Sequence, residues 1–180
     1  VNVFGHMRVS RAFLPGMRER RSGLVVYVTS VVGRYTFPFG GVYASSKWAL
    51  EALAESSSYE LAPLGVDVAI VQPAAYETNI GNSGVGPDDE QRLSGYSDVT
   101  PFMANIMSAL GNSTQGRNSR EVADAIFAIA ERPAGTRPLR TPVPGEPAIT
   151  AMNAATAPIQ RQALESLGLA ELLAKVPTRA

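Results

Sequence analysis

The 180-residue chain contains no cysteine, which excludes disulfides and thiolate metal sites. Its single histidine, His6, cannot build a histidine-rich metal centre. Lysine occurs only at Lys47 and Lys175, so arginine supplies the other 14 of 16 basic residues. These are scattered and balanced by 16 acidic residues. Without a basic run, the chain carries no electrostatic footprint for nucleic acid or a membrane surface. No apolar stretch reaches the roughly 18 residues of a membrane helix, and the first residues do not follow the pattern of a signal peptide. Composition therefore predicts a soluble, cytoplasmic protein with no nucleic-acid or membrane partner. A length of 180 residues fits one domain that buries roughly 70% of its unfolded surface.

What is present alternates between helical and extended patterns, the mark of βαβ units around a parallel sheet, and so predicts the α/β class. Phe4, Met7, Phe13, Leu14 and Met17 recur at helical spacing over residues 2–19, interrupted late by Pro15-Gly16. The continuous apolar run 24–28 reads as a strand buried on both faces, ending at Thr29-Ser30. A long helix is predicted over 42–62, stopped by Pro63 and Gly65, and a second strand over 66–71. Residues 78–101, rich in Gly, Ser, Asn and Asp without a period, read as a mobile loop. Asn118 to Glu121 has the form of a capping box opening a helix over 122–131. A short last strand is expected over 139–143. The tail, about 149–175, reads as a broken amphipathic helix with Leu164, Leu167, Leu169, Leu172 and Leu173 on its apolar side. Trp48 reads as packing, and His6 as a helix-surface or interface residue.

The chemistry concentrates in Tyr43-Ala44-Ser45-Ser46-Lys47. On a helix, the i,i+4 spacing puts phenol and ammonium on one face. A free phenol ionises near pH 10, so a phenolate near neutrality needs roughly 4 kcal/mol of help. A cation about 4 Å away at an effective dielectric near 20 supplies an interaction of that order. The pair is a proton-transfer device, and Ser30 stands thirteen residues upstream of it at a predicted strand end.

Ser30, Tyr43-x-x-x-Lys47 and Pro73-Ala74-x-x-x-Thr78, in this order and spacing, resemble the catalytic and cofactor signatures of the short-chain dehydrogenase/reductase family. Asn2 matches the helix-borne Asn of that family's catalytic tetrad. The likeness runs from residue 1 to about 143, with a departure at Ala74, where the family usually has Gly. It implies a Rossmann-like, doubly wound parallel sheet, here its C-terminal half of about three strands with flanking helices (residues 1–146), followed by a C-terminal helical tail (147–180). It further implies NAD or NADP as cofactor, a small-molecule carbonyl or alcohol substrate, and a homodimer or homotetramer in the intact protein. Tyr43 would exchange a proton with the substrate oxygen, Ser30 would orient that oxygen, and Lys47 would hold the nicotinamide ribose. Asn2 would position a water beside Lys47. Pro73, Ala74, Ala75 and Thr78 would face the nicotinamide carboxamide, with capping of the next segment as the competing role for Thr78. The aromatic segment Tyr35, Phe37 and Phe39 would border the substrate pocket, favouring an apolar or aromatic carbonyl compound.

The family's Gly-rich TGxxxGxG turn, which cradles the pyrophosphate, does not occur in the 180 residues. The chain therefore reads as the C-terminal portion of such an enzyme, with strand 24–28 lacking a neighbour on one edge. The extended branch of the superfamily usually has a longer Ser-to-Tyr gap, and a serine-hydrolase reading finds no GxSxG elbow here and no histidine other than His6. The remaining rival is a non-catalytic remnant acting through oligomerisation helices. By itself the 180-residue chain is expected to bind NAD(H) or NADP(H) weakly and to turn over negligibly. Calorimetric titration showing low-micromolar affinity would contradict that expectation.

Overall fold

The computed structural model describes residues 2–80 and 89–176. These form two compact units, Val1–Ala74 with Glu121–Ala180, and Ala75–Arg120.

The larger unit is a three-stranded parallel sheet in the order β1-β2-β3, with β1 Gly23–Val28, β2 Val66–Pro73 and β3 Arg140–Val143. Gly23 pairs with Val66 and Val28 with Val71, while Pro73 meets Val143, so the strands finish at one common carboxyl edge. Helix α1, Phe4–Glu19, precedes β1, and helix α2, Gly41–Leu61, connects β1 to β2. The parallel pairing requires such a crossover, because a tight hairpin joins only antiparallel strands. α1 runs through Pro15 without a break. After α2, a short 3-10 turn, Ala62–Leu64, ends on Gly65 in the left-handed region at φ 75°, where a Cβ would also strike the Arg21 carbonyl.

The central strand explains the core. β2 is buried from Val66 to Gln72, and Val66, Val68 and Ile70 pack with Tyr27, Leu50, Ala54 and Leu61. The strand buried on both faces is thus β2. In β1 only Tyr27 is fully buried and Val28 is exposed. Among the described residues β1 pairs on one side only, with β2, leaving the open edge expected for strand 24–28. Helix α5, Arg120–Glu131, is fastened near its C-terminus by Arg137. That guanidinium donates to the Ile129 carbonyl at 3.2 Å and the Ala130 carbonyl at 3.3 Å, and pairs with Asp67 of β2 at 2.9 Å. The C-terminal helices are α6, Pro147–Ser166, and α7, Ala170–Leu173, separated at Gly168 in the left-handed region. The break matches the pattern, but not every leucine faces inward: Leu173 is buried, whereas Leu167 is exposed.

The smaller unit contains α3, Glu90–Ser94, and α4, Thr100–Thr114. The loop expected over 78–101 is therefore corrected where it is described; residues 81–88 of that span lie outside the described residues. Asp89 caps α3 by accepting from the Arg92 amide at 2.9 Å, and Pro101 stands in the first turn of α4, where its missing N–H costs nothing. The α4 period of Phe102, Met103, Ile106, Met107 and Leu110 begins beyond the Gly- and Ser-rich stretch that conceals its start. Asn118 accepts from the Arg120 amide at 3.0 Å at the start of α5, so the helix opens two residues before the expected one.

Because Ile70 has no accessible surface, Ile70→Ala is expected to cost about 2–5 kcal/mol of unfolding free energy. Val42→Ala, at a side chain 92% exposed, is expected to cost little. Denaturant unfolding of the two variants checks this contrast; equal effects would misplace the core.

Candidate active site

Local sequence sets the site at the carboxyl edge of β1 and β2. The chain leaves β1 through Thr29, whose amide still donates to the Val71 carbonyl at 2.8 Å. Ser30, in extended backbone, caps a one-turn 3-10 helix, Val31–Gly33. Its Oγ accepts from the Val32 amide and donates to the Pro73 carbonyl, both at 3.3 Å. Ser30 is 8% exposed. It thereby joins the ends of two strands, and Ala74 continues the edge by donating its amide to the Val143 carbonyl at 2.8 Å.

Helix α2 presents Tyr43 and Lys47 one turn apart. The Lys47 Nζ lies 5.8 Å from the centroid of the Tyr43 ring and donates to the Val28 carbonyl at 3.4 Å, two residues before Ser30. Burial lowers the Lys47 ammonium below the ordinary lysine value, because removing water penalises the charged form. The Tyr43 side chain is 38% exposed, and its hydroxyl has no partner among the described residues. A phenol open to solvent beside an ammonium on the same helix face can pass a proton to or from a molecule arriving at the edge.

Asn2 stands in a turn ahead of α1, not within a helix as expected, since α1 begins at Phe4. Its Nδ2 donates to Ser46 Oγ at 3.0 Å, and Ser46 Oγ donates to the Tyr43 carbonyl at 2.7 Å. Asn2, Phe4, Phe39, Val42, Tyr43 and Ser46 line an open groove of about 640 Å³. Of the flanking aromatics, Phe37 packs with Val31, Val32 and Ile149, while Tyr35 and Phe39 are exposed. Trp48, expected to pack, is 43% exposed, and His6 stacks on Tyr27 with ring centroids 6.1 Å apart.

Ala75 and Thr78 belong to the smaller unit. The Ala75 carbonyl accepts from Arg117 at 3.3 Å, and Thr78 Oγ1 accepts from the Ile80 amide at 3.4 Å, a local capping contact. The sequence reading did not single out the polar residues beneath the pair. Glu51 and Glu55 continue the i+4 series of Tyr43 and Lys47 along α2, and both meet Arg140 of β3, at 2.9 and 2.7 Å. That four-residue periodicity, running into an otherwise apolar helix face, was the available signal.

Residues 1–86 match the family model described as short chain dehydrogenase. The uncharacterized oxidoreductase YusZ of Bacillus subtilis (strain 168) is 31% identical over 137 residues, covering 73% of this chain and 47% of that protein. A short-chain dehydrogenase structure from Streptomyces avermitilis aligns with a TM-score of 0.65 at 29% identity, covering 92% of this chain and 57% of that one. A short-chain dehydrogenase from Sphingobium yanoikuyae in complex with NADPH gives 0.61 at 25% identity, covering 92% and 53%. The chain belongs to the short-chain dehydrogenase/reductase family, a family of oxidoreductases. It spans about half or less of the length of the curated relatives it matches. Among the described residues no helix is long and apolar enough to cross a membrane.

Since burial depresses Lys47 in the folded chain, the unfolded chain binds more protons between the folded value and the ordinary 10.5. Stability is therefore expected to rise with pH through that window, and Lys47→Met to remove the rise. Denaturant unfolding across alkaline pH tests it; an unchanged slope in the variant would show that Lys47 is not the group responsible.

Proposed function

We propose that this chain carries the reacting half of an NAD- or NADP-dependent oxidoreductase that interconverts a carbonyl and an alcohol. The observation that carries the reading is the half-buried Lys47 ammonium, held between the Tyr43 ring and the Val28 carbonyl and one strand end away from Ser30. The residues fit the nicotinamide half of a dinucleotide: an exposed phenol, an ammonium with protons to spare, and a strand edge of the kind where open α/β sheets take ligands. The NADPH of the Sphingobium structure supports the same class of cofactor. When bound, the dinucleotide supplies or accepts the hydride.

In this reading Tyr43 donates a proton to the developing alkoxide during reduction and accepts one during oxidation. Ser30 hydrogen-bonds the same substrate oxygen, a role that requires it to release the long contact to the Pro73 carbonyl. Lys47 favours the phenolate form and holds ribose hydroxyls. Pro73, Ala74, Ala75 and Thr78 hold the carboxamide, and Asn2, bonded to Ser46 of α2, positions a water that links Lys47 to solvent. Residues 1–146 act as the C-terminal half of the dinucleotide-binding domain and 147–180 as its helical tail. The exposed aromatics Tyr35 and Phe39 favour an apolar or aromatic carbonyl substrate.

A second reading has an observation of its own. Phe4, Val9 and Phe13 of α1 are all more than half exposed, as suits a helix that packs on another subunit. Such a chain could act through association alone, as part of a homodimer or homotetramer. The two readings separate on Tyr43→Phe, measured in a protein where a Gly-rich phosphate-binding turn precedes these residues. The catalytic reading expects ketone reduction to be lost while fold and dinucleotide affinity persist. Wild-type kcat in the variant would remove Tyr43 from the mechanism.

A further inference from the structure

The carboxylate of Glu51 is 3% exposed and collects three donors, one from each strand or its end. Thr29 Oγ1, immediately after β1, donates to Glu51 Oε1 at 2.6 Å. Gln72 Nε2 of β2 donates to the same oxygen at 3.0 Å. Arg140 Nε of β3 donates to Oε2 at 2.9 Å. The partners are themselves held. Asn153 of α6 donates to Gln72 Oε1 at 2.8 Å, and Arg140 reaches Glu55, which also accepts from the Tyr59 hydroxyl.

This cluster adjoins the reacting pair. Lys47 and Glu51 are successive members of one α2 stripe, and they grip successive residues of the chain leaving β1: Lys47 the Val28 carbonyl, Glu51 the Thr29 hydroxyl. Ser30 is the next residue. The helix also comes down closely on the Ser30 turn, for a Cβ on Gly33 would lie 2.8 Å from Glu51 Cγ and 3.3 Å from the Lys47 carbonyl oxygen. The rotation of α2 about its axis therefore fixes both where Lys47 sits and how far Ser30 stands from it. Apolar packing alone leaves such rotation loosely specified, whereas three directional bonds to one buried carboxylate specify it.

We propose that Glu51 is a positioning residue, a clamp that locks α2 against the carboxyl ends of the three strands and so seats Lys47 beside Tyr43 and Ser30. The assignment rests on the proton-transfer reading of Tyr43 and Lys47, but its test does not require turnover. Glutamine at position 51 keeps the shape and offers one acceptor oxygen and an NH2 group, so it turns a donor toward at least one of the three donors now satisfied. Thr29→Val removes one donor with almost no change of volume and no change of charge.

The two lysines make the readout simple. In the 180-residue chain labelled with ε-13C lysine, NMR gives separate titrations for Lys47 and Lys175, the latter an internal reference. Releasing the clamp lets water reach the Lys47 ammonium, so its midpoint should move up toward the ordinary lysine value in both Glu51→Gln and Thr29→Val. It should stay in place in Glu60→Gln, which removes an exposed carboxylate from the same helix. Loss of the Glu51 charge acting through space would lower the midpoint instead. Because Glu51→Gln also removes a charge, the charge-neutral Thr29→Val decides: an unchanged or lowered Lys47 midpoint in that variant, with the wild-type amide spectrum kept, overturns the proposal. The outcome is separate from the reaction assignment, since wild-type turnover in Tyr43→Phe, measured where a Gly-rich phosphate-binding turn precedes these residues, would remove that assignment without bearing on the Lys47 midpoints of Glu51→Gln and Thr29→Val.

Discussion

One buried carboxylate on α2, that of Glu51, meets a donor from each of the three strands or its end. Taking Glu51 out of water costs several kcal/mol, which is offset only when its lone pairs meet good donors. The donors come from Thr29, Gln72 and Arg140, so satisfying one side chain of α2 ties the helix to all three strands at once. The charges nearby are balanced: Arg34 and Arg140 against Glu51 and Glu55. Burial lowers Arg34, with the like charge of Arg140 adding to the effect and the two carboxylates opposing it. For Glu55, burial works to raise the carboxyl, but the Arg140 hydrogen bond and charge, the Tyr59 hydroxyl and Arg34 together bring it below the ordinary value. In the proposed account the network adds directional bonds to the packing of Leu50, Ala54 and Leu61, and together they favour one rotation of α2.

That constraint links the fold to the candidate chemistry. A proton-transfer pair on a helix is useful only if the helix faces the strand ends where a substrate would lie. Here the same α2 stripe that ends in Tyr43 and Lys47 passes through Glu51 and Glu55 before reaching Tyr59. The end of the stripe at Tyr43 is exposed and Glu51 is buried, which fits the proposed device, in which accessible groups are aimed by a dry foundation. The short-chain dehydrogenase/reductase family is one of oxidoreductases, and the activity proposed for this chain joins that membership to the arrangement of Tyr43, Lys47 and Ser30.

Much of this was legible in the sequence. The YxxxK spacing placed Tyr43 and Lys47 on one helix face, and the two apolar runs gave β1 and β2 because β-rich apolar segments bounded by Gly and Pro have few other solutions. The open edge of β1 follows from the missing Gly-rich half, but burial on both of its faces does not hold, since Leu24 to Val28 is as apolar as a central strand and yet only Tyr27 is fully buried. Glu51 was passed over because a glutamate in a helical pattern reads as part of a solvated face; nothing local announces that Thr29, Gln72 and Arg140, as many as 111 residues apart in the chain, converge on it. The helices α3 and α4 were hidden by Gly, Ser and Asn, whose turn propensity was overridden by the cap at Asp89 and the apolar period of α4. Asn2 sits before α1 because its backbone is part of the entering turn, a boundary that periodicity resolves poorly.

The central claim is that Glu51 couples the strand ends to α2, and a double-mutant cycle measures it most directly. Unfolding free energies of the wild type, Thr29→Val, Glu51→Gln and the double variant give the coupling between the two side chains. The account predicts that the double variant is more stable than the sum of the single losses implies, with a coupling of roughly 0.5–3 kcal/mol. Strictly additive losses would contradict it and would reduce Glu51 to a buried group with no specific hold on the strand that carries Ser30.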